Sequence, residues 1–361
     1  MRERGIRRAI GVGTVLAAAA FMSPAAAAQL PPLSPAAGFC PAPAPRGAGA
    51  RGRAGGAGRG GGQPAAAPTP AFPGPVFDQA MGSGENYEVA EFRLWHPQGI
   101  ETIRAVLVLA PGSNGDGRNQ VMDPTWEAFA VEHGLALVGV RLRDAQPGIF
   151  EQYVDVGRGS GDAFLGAMTN FAAESGHPEL ATAPFLLWGM SAGGEFNYEM
   201  ALWKPERVVA FIVNKGGIYW HALGSPEARA VPGIFFAGGT DLDSRIGTIF
   251  GLFALNRRGG AIWSFSVEPC TGHSVGKSQE LSMMFYEDML AARLNGAGTN
   301  PDGTPLLNTL TESSGLIGSI SDFTVEPAGE RVNTSLTTSW LPNERIARGW
   351  QAIATGQQVT P

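Results

Sequence analysis

Residues 185–193 read Phe-Leu-Leu-Trp-Gly-Met-Ser-Ala-Gly, an apolar run that leads into a Gly-x-Ser-x-Gly turn. The run predicts a buried strand, and Phe196 and Met200 are spaced to share one face of a helix that follows the turn. A strand, this turn and a helix in succession lift a serine hydroxyl above a sheet, where it can attack a substrate. The stretch therefore predicts a covalent acyl-enzyme on Ser191.

The two glycines of the turn are expected for steric reasons. The turn forces Ser191 into a sparsely populated backbone conformation, so a Cβ atom at position 189 or 193 would collide with the neighbouring strand or helix. Because 51 of the 361 residues are glycine, the pentapeptide alone is weak support. The flanking strand and helix patterns carry the prediction.

A nucleophilic serine needs a base, and the base needs an orienting carboxylate, in the chain order Ser, Asp or Glu, His. Three further apolar runs predict buried strands, at residues 208–214, 234–237 and 261–267. Asp241 follows the second run and His273 the third, and groups just past the carboxyl ends of parallel strands meet at one edge. We assign Ser191 as nucleophile, His273 as general base and acid, and Asp241 as the residue that fixes the imidazole tautomer.

Two of these assignments have alternatives. Asp243 is a second candidate for the acid, although Gly-x-x-Asp after this strand is the commoner arrangement and favours Asp241. Of the other four histidines, three precede the nucleophile strand and His221 precedes the acid, so they fit the role of base less well. His221 stays a candidate for the wall of the cleft.

The oxyanion hole is expected to combine two backbone N–H groups. One belongs to Ala192, directly after the nucleophile, and the other to a loop that follows an earlier strand. Residues 103–111 read as that strand, and the glycine-rich loop 112–117 follows it. We assign Ser113 as the second donor; phosphate binding is not expected because no Gly-Lys-Ser/Thr follows the loop.

The remaining patterns alternate between strand and helix. Asp123-Pro124 predicts the start of a helix over 125–132, residues 135–140 a strand, and residues 86–95 an exposed antiparallel edge strand. Apolar spacing predicts two further helices, around 164–171 and 281–289. The alternation predicts a mostly parallel, doubly wound α/β sheet with helices on both sides.

Residues from about 85 to 294 resemble the α/β-hydrolase superfamily, and the short layout without a lid resembles its secreted esterases, which include feruloyl esterases, acetyl-xylan esterases and polyhydroxybutyrate depolymerases. The matching stretches are Ala-Pro-Gly-Ser-Asn-Gly at 110–115, the 189–193 turn, Gly-Gly-Thr-Asp at 238–241 and Gly-His at 272–273. Many relatives have His-Gly where this chain has Pro111-Gly112. The resemblance implies a three-layer sandwich without a large lid domain, and hydrolysis of carboxylic esters.

Spacing alone implies only an activated serine, so two alternatives stay open: an exported serine peptidase or amidase, and a non-catalytic binding protein of this fold. Tyr219 and Trp220, together with His221, are the candidates for substrate contacts. The stretch between the strands at 208–214 and 234–237 is too short for a lid domain, which favours an open cleft and a bulky or polymeric ester.

The N-terminal region reads as sorting and spacer sequence. Residues 1–28 combine four arginines, a short apolar stretch and a small-residue cleavage site, which predicts a signal peptide and a secreted or periplasmic protein. Arg7-Arg8 leaves the export route open. Residues 29–75 are rich in Pro, Ala and Gly, which predicts a disordered linker. The hydrolase domain is assigned to 76–294.

Charge limits the partners of the folded part. Residues beyond 77 carry 18 basic and 31 acidic side chains, a net charge of −13. Such a body repels nucleic acid and anionic membranes, and it favours neutral or cationic substrates. No residue spacing indicates a metal or other cofactor. An ester substrate is thus the expected partner, with no nucleic acid and no stable membrane insertion, and the oligomeric state is left open.

Two features outside the hydrolase pattern remain. Cys40 and Cys270 allow one disulfide, which would place the linker beside His273, but the flexible surroundings of Cys40 favour two unpaired thiols. Residues 295–361 are rich in Gly, Thr and Ser and close with a helix near 343–355. They are expected to form an arm packed on the domain, with a flap beside the cleft as the alternative.

Overall fold

A computed structural model describes residue 40 and residues 69–146, 148, 150–301, 303–329 and 335–360. Eight strands form its main sheet: β1 (Val76–Met81), β2 (Val89–Trp95), β3 (Ala105–Ala110), β4 (Leu135–Arg143), β5 (Phe185–Gly189), β6 (Val208–Asn214), β7 (Gly233–Gly238) and β8 (Trp263–Glu268). Their order is β1-β2-β4-β3-β5-β6-β7-β8, in which β2 is antiparallel to both neighbours and all other pairs are parallel. This mixed, mostly parallel sheet with helices between its strands agrees with the α/β architecture predicted from the sequence.

Helices pack around this sheet, and the first five connect its parallel strands. They are α1 (Pro124–His133), α2 (Ser160–Ser175), α3 (Ala192–Trp203), α4 (Pro226–Arg229), α5 (Asp243–Arg258), α6 (Ser278–Leu294) and α7 (Glu344–Ala354). The start of α1 follows the sequence expectation, since the Asp123 carboxylate accepts the Thr125 N–H at 2.8 Å and Pro124 occupies the first helical position. Every residue of β3, β5, β6 and β7 is buried, so both faces of the central sheet are covered.

The prediction of an edge strand at residues 86–95 is wrong. The strand in this region, β2, lies between β1 and β4, and its Phe92 and Leu94 side chains are fully buried. The strand β1 forms the edge instead, with Asp78 on it paired to Arg93 of β2 at 2.7 Å. The sequence of β1 is short, alternates only weakly between apolar and polar residues and follows the Pro/Gly-rich tract, so it did not predict a strand.

The packed part of the chain begins before residue 76. Within the stretch assigned to the linker, the Phe72 N–H donates to the Glu127 carboxylate at 2.8 Å, and the Pro73 carbonyl accepts the Gln98 N–H at 2.9 Å. The predicted signal peptide and most of the predicted linker lie outside the described residues. Among the described helices, none is both long and apolar enough to cross a bilayer.

Residues after 295 contain structure that their loop-like composition did not predict. Three short strands, β9 (Leu316–Ser319), β10 (Val325–Pro327) and β11 (Thr338–Leu341), form a second sheet that precedes α7. The segment contacts β8: the Trp350 indole donates to the Phe265 carbonyl at 2.7 Å, and the Ser339 hydroxyl accepts the Phe265 N–H at 2.9 Å. These contacts place the segment against the outer strand of the main sheet.

The two cysteines are joined, contrary to our expectation of free thiols. Cys40 and Cys270 form a disulfide that spans 230 positions of the sequence, with their Cα atoms 5.3 Å apart. Composition around Cys40 indicated a flexible chain, but composition carries no information about a distant covalent partner. The bond fixes Cys40 to the loop that carries His273.

Candidate active site

Ser191 occupies the sharp turn between β5 and α3. Its backbone has φ 57° and ψ −128°, a strained conformation for a residue with a Cβ atom. Hydrogen bonds fix this turn, because the Ser191 N–H donates to the Asn214 carbonyl at 2.8 Å and its own carbonyl accepts the Gly194 N–H at 2.8 Å. The hydroxyl therefore stands at the carboxyl end of the central strand.

The glycines beside Ser191 are required by close backbone packing. A Cβ atom on Gly189 would lie 2.4 Å from the Gly193 carbonyl, and one on Gly193 would lie 2.1 Å from the Ala110 oxygen. Both separations are far below van der Waals contact, so any side chain at either position would push the turn apart. The steric collision expected from the sequence at positions 189 and 193 is therefore present in the structure.

The structure brings together the three residues assigned from the sequence. His273 Nε2 lies 3.0 Å from the Ser191 hydroxyl, and His273 Nδ1 lies 2.9 Å from Asp241 Oδ2. Asp243, the alternative acid, is exposed in the first turn of α5. Each of the three residues follows a different strand of the sheet, namely β5, β7 or β8.

The Asp241 carboxylate is held by donors on both oxygens. Burial alone raises its pKa, but donors outweigh this effect and lower the pKa below its usual value. The Leu242 N–H donates to Oδ1 at 2.8 Å, His273 contacts Oδ2, and the Arg245 guanidinium reaches Oδ1 at 2.5 Å. Asp241 is therefore ionised at neutral pH, as an orienting carboxylate must be.

The loop after β3 passes over the nucleophile. A Cβ atom on Gly112 would lie 3.6 Å from Ser191 Cβ, so this loop is in contact range of the serine. No described residue accepts a hydrogen bond from the N–H of Ser113 or Ala192. These two donors are available for a substrate oxygen, as an oxyanion hole requires.

Two residues that the sequence analysis did not find hold this loop in place. The Asn114 N–H donates to the Tyr153 hydroxyl at 3.0 Å, and the Asn114 side-chain oxygen accepts the Asp144 N–H at 2.8 Å. Asn114 has a positive φ of 51°, which explains why the loop needs such anchors. No local sequence pattern links Tyr153 to a loop 39 residues earlier.

The three candidate substrate contacts lie in different environments. The Tyr219 hydroxyl is buried, and its ring packs edge-on against Tyr198. Trp220 is 38% exposed and its indole donates to the Glu151 carbonyl at 3.2 Å. His221 Nδ1 lies 2.6 Å from the Glu199 carboxylate, on the wall of a cavity of about 540 Å³.

Two buried glutamates of α3 hold the loop that carries Tyr219, Trp220 and His221. Glu195 Oε1 accepts the N–H groups of Gly217 and Ile218 at 2.6 and 3.0 Å. One helical turn later, Glu199 Oε1 accepts those of Trp220 and His221 at 2.8 and 3.0 Å. The spacing of four residues puts both carboxylates on one face of the helix, so they clamp the loop after β6 along it.

A buried ion pair joins Lys215, just after β6, to Glu268 at the end of β8. The Lys215 ammonium contacts the Glu268 carboxylate, and both side chains are almost completely inaccessible to solvent. Burial lowers the pKa of Lys215, against the attraction of Glu268. The other Glu268 oxygen accepts the Lys277 N–H at 2.5 Å, so the pair connects the end of β6 to both ends of the loop carrying His273.

We expect Lys215→Met to lower the free energy of unfolding by about 3 to 5 kcal/mol, because it leaves the Glu268 carboxylate buried without its cation. Urea denaturation of both proteins measures the difference. The control is the double variant Lys215→Met/Glu268→Gln, which removes both charges and keeps an oxygen for the Lys277 N–H. It should regain most of the loss. A single variant as stable as the parent would contradict this prediction.

Comparison with known proteins gives matches among solved structures only. No protein-family model matches the chain, and no curated protein matches it. A bacterial heroin esterase is 16% identical, over 61% of this chain and 83% of its own, with a TM-score of 0.43. A ferulic acid esterase is 14% identical, over 60% and 97%, also with a TM-score of 0.43.

A fluorophosphonate-binding serine hydrolase of Staphylococcus aureus is likewise 14% identical, over 60% of this chain and 99% of its own, with a TM-score of 0.41. The likeness to these proteins concerns the fold alone. Among the described residues, no group of three or more His, Cys, Asp or Glu side chains could hold a metal ion.

Proposed function

We propose that this chain is an exported serine hydrolase that cleaves carboxylic esters through an acyl-enzyme on Ser191. One observation carries the proposal: the hydrogen-bonded series of Ser191 Oγ, His273 Nε2, His273 Nδ1 and Asp241 Oδ2, with separations of 3.0 and 2.9 Å. The series begins at a serine in the strained turn of a nucleophile elbow. An imidazole in this position can take the serine proton as the oxygen attacks.

The reaction follows from these positions. The Ser191 oxygen attacks the ester carbonyl carbon while His273 Nε2 takes the hydroxyl proton, and the N–H groups of Ser113 and Ala192 stabilise the resulting oxyanion. His273 then gives the proton to the leaving alcohol, which leaves Ser191 acylated. Water, deprotonated by the same imidazole, attacks the acyl carbon; the bond to Ser191 Oγ then breaks, His273 returns the proton to that oxygen, and the carboxylic acid leaves.

Three features support an ester substrate and export. The stretch between β6 and β7 contains only the four-residue helix α4 and no lid domain. The strongly acidic body favours neutral or cationic substrates over polyanions. The disulfide between Cys40 and Cys270 is typical of an oxidising compartment, in agreement with a predicted signal peptide at residues 1–28.

Ester and amide substrates with the same acyl group test the reaction class. We expect the purified protein to hydrolyse p-nitrophenyl acetate, p-nitrophenyl butyrate and methyl ferulate measurably, and p-nitroanilides of the same acids far more slowly. Faster cleavage of the anilides would instead support the peptidase or amidase alternative.

A fluorophosphonate probe tests the nucleophile independently of the substrate. The probe should label the native protein and not the heat-denatured protein, and the label should lie on the tryptic peptide that contains Ser191. Absence of both labelling and ester hydrolysis would favour a non-catalytic binding protein of this fold.

A further inference from the structure

Asp241 has a second charged partner besides His273. The Arg245 guanidinium lies 2.5 Å from Asp241 Oδ1, whereas His273 contacts the other oxygen, Oδ2. Ion pairs between residues four apart are usually solvent-exposed and weak. Here the Asp241 side chain is only 5% exposed and the Arg245 side chain 23%, so solvent screens this pair less than a surface pair.

The position of Arg245 is unfavourable for helix stability. It lies in the first turn of α5, which begins at Asp243. The N-terminal end of a helix carries partial positive charge, so a cation there is repelled and a carboxylate is preferred. Its contact with Asp241 offsets this repulsion, which suggests that the arginine serves the carboxylate and not the helix.

The guanidinium is also fixed from its other side. A Cβ atom on Gly217 would lie 3.0 Å from Arg245 Nε, so this side chain rests on the backbone of the loop after β6. The Gly217 N–H in turn donates to Glu195 at 2.6 Å, and Glu195 follows Ser191 by four residues in α3. Contacts therefore close a ring from Ser191 through Glu195, Gly217, Arg245 and Asp241 to His273, and back to Ser191.

We propose that Arg245 is a positioning residue, which fixes the orientation of Asp241 and reduces the negative charge that Asp241 presents to His273. The proposal rests on the function proposed above for Ser191, His273 and Asp241. It assigns no contact between Arg245 and the substrate. Arg245 acts on the reaction only through the carboxylate of Asp241.

Charged groups from three other elements face this carboxylate and its arginine. Lys215, at the end of β6, attracts Asp241, but Glu268 of β8 neutralises it. Glu195 of α3 attracts Arg245, and burial raises the pKa of Glu195 to about 7 against hydrogen bonds from two N–H groups. Glu195 could therefore titrate in the same pH range as a general base, so a test of Arg245 has to remove this group first.

The change in pH dependence that follows removal of the Arg245 guanidinium has a predictable direction. Without it, the full charge of Asp241 faces the imidazole and stabilises the protonated form of His273. A general base has to be deprotonated to act, so the acid limb of the kcat/KM profile should move to higher pH. The expected displacement is about 0.5 to 1 pH unit, with a roughly tenfold lower kcat because Asp241 loses a constraint on its orientation.

The experiment compares Arg245→Gln, Arg245→Lys and Arg258→Gln, each in a Glu195→Gln background. Lysine keeps the charge of Arg245, and Arg258 is an exposed residue at the far end of the same helix. The readouts are the pH profile of ester hydrolysis and the titration of the His273 ring protons by NMR. The other four histidines serve as internal references.

The proposal requires that only Arg245→Gln moves the acid limb and the His273 titration to higher pH. Identical His273 titration in Arg245→Gln and its background would overturn it, and so would an equal displacement in Arg245→Lys or Arg258→Gln. If the glutamine variant does not fold, Arg245→Met, which also removes the charge, takes its place under the same criteria. The NMR readout does not need activity, so an absence of esterase activity with a displaced His273 titration would refute the proposed function alone.

Discussion

Replacing Ser191 by alanine should reduce kcat for a carboxylic ester by about 10⁶-fold, the scale of loss found when a triad nucleophile is removed. The substitution removes the only oxygen within hydrogen-bonding distance of His273 Nε2 in the described part of the chain. Any residual rate would come from the backbone donors and from substrate binding, which still favour attack by water. Steady-state kinetics on p-nitrophenyl butyrate measures the loss.

The fold should tolerate this change. Alanine has a Cβ atom like serine, so the strain at φ 57° is unchanged, and within the described residues the Ser191 hydroxyl makes no hydrogen bond other than the one to His273. We expect the free energy of unfolding to stay within about 0.5 kcal/mol of the parent. Ser274→Ala, one residue after His273, is the matched control and should retain parental kcat. Parental activity in Ser191→Ala would place the chemistry elsewhere.

The parts of the site that the sequence predicted depend on local constraints. The turn at Ser191 needs glycine at 189 and 193 because a Cβ atom at either position would lie within 2.4 Å of backbone atoms, and such a requirement leaves a recognisable sequence pattern. Asp241 and His273 could be assigned because parallel strands deliver their carboxyl ends to one edge of the sheet. Strand order and spacing were therefore sufficient to bring the three residues together.

The parts that the sequence did not predict depend on contacts between distant segments. Glu195 reads as an ordinary helical glutamate until the loop at 217–218 is seen to donate to it. Arg245 has one visible signal, its spacing of four from Asp241, but that spacing is common on helix surfaces. The disulfide is a similar case, because it joins two cysteines that lie 230 positions apart in the sequence.

Asp241→Asn should lower kcat by about 10⁴-fold through the wrong histidine tautomer. An asparagine side chain has a carbonyl oxygen that accepts and an NH₂ group that donates, so only one of these two groups can face His273. On the other side, the Leu242 N–H and the Arg245 guanidinium both donate. The amide oxygen is therefore held there, and the NH₂ group faces His273 Nδ1. The imidazole must accept at Nδ1, which puts its proton on Nε2 and leaves no base for the Ser191 hydroxyl.

The matched control for this substitution is Asp243→Asn, the same change two residues later. Asp243 is exposed at the start of α5, where its charge favours the helix end without contacting His273. We expect kcat within about twofold of the parent and a loss of stability of at most about 1 kcal/mol. Steady-state kinetics of both variants decides between the two carboxylates. A large loss in Asp243→Asn with a small one in Asp241→Asn would reverse the assignment, because of these two carboxylates only the one that sets the tautomer can cost four orders of magnitude without changing the fold.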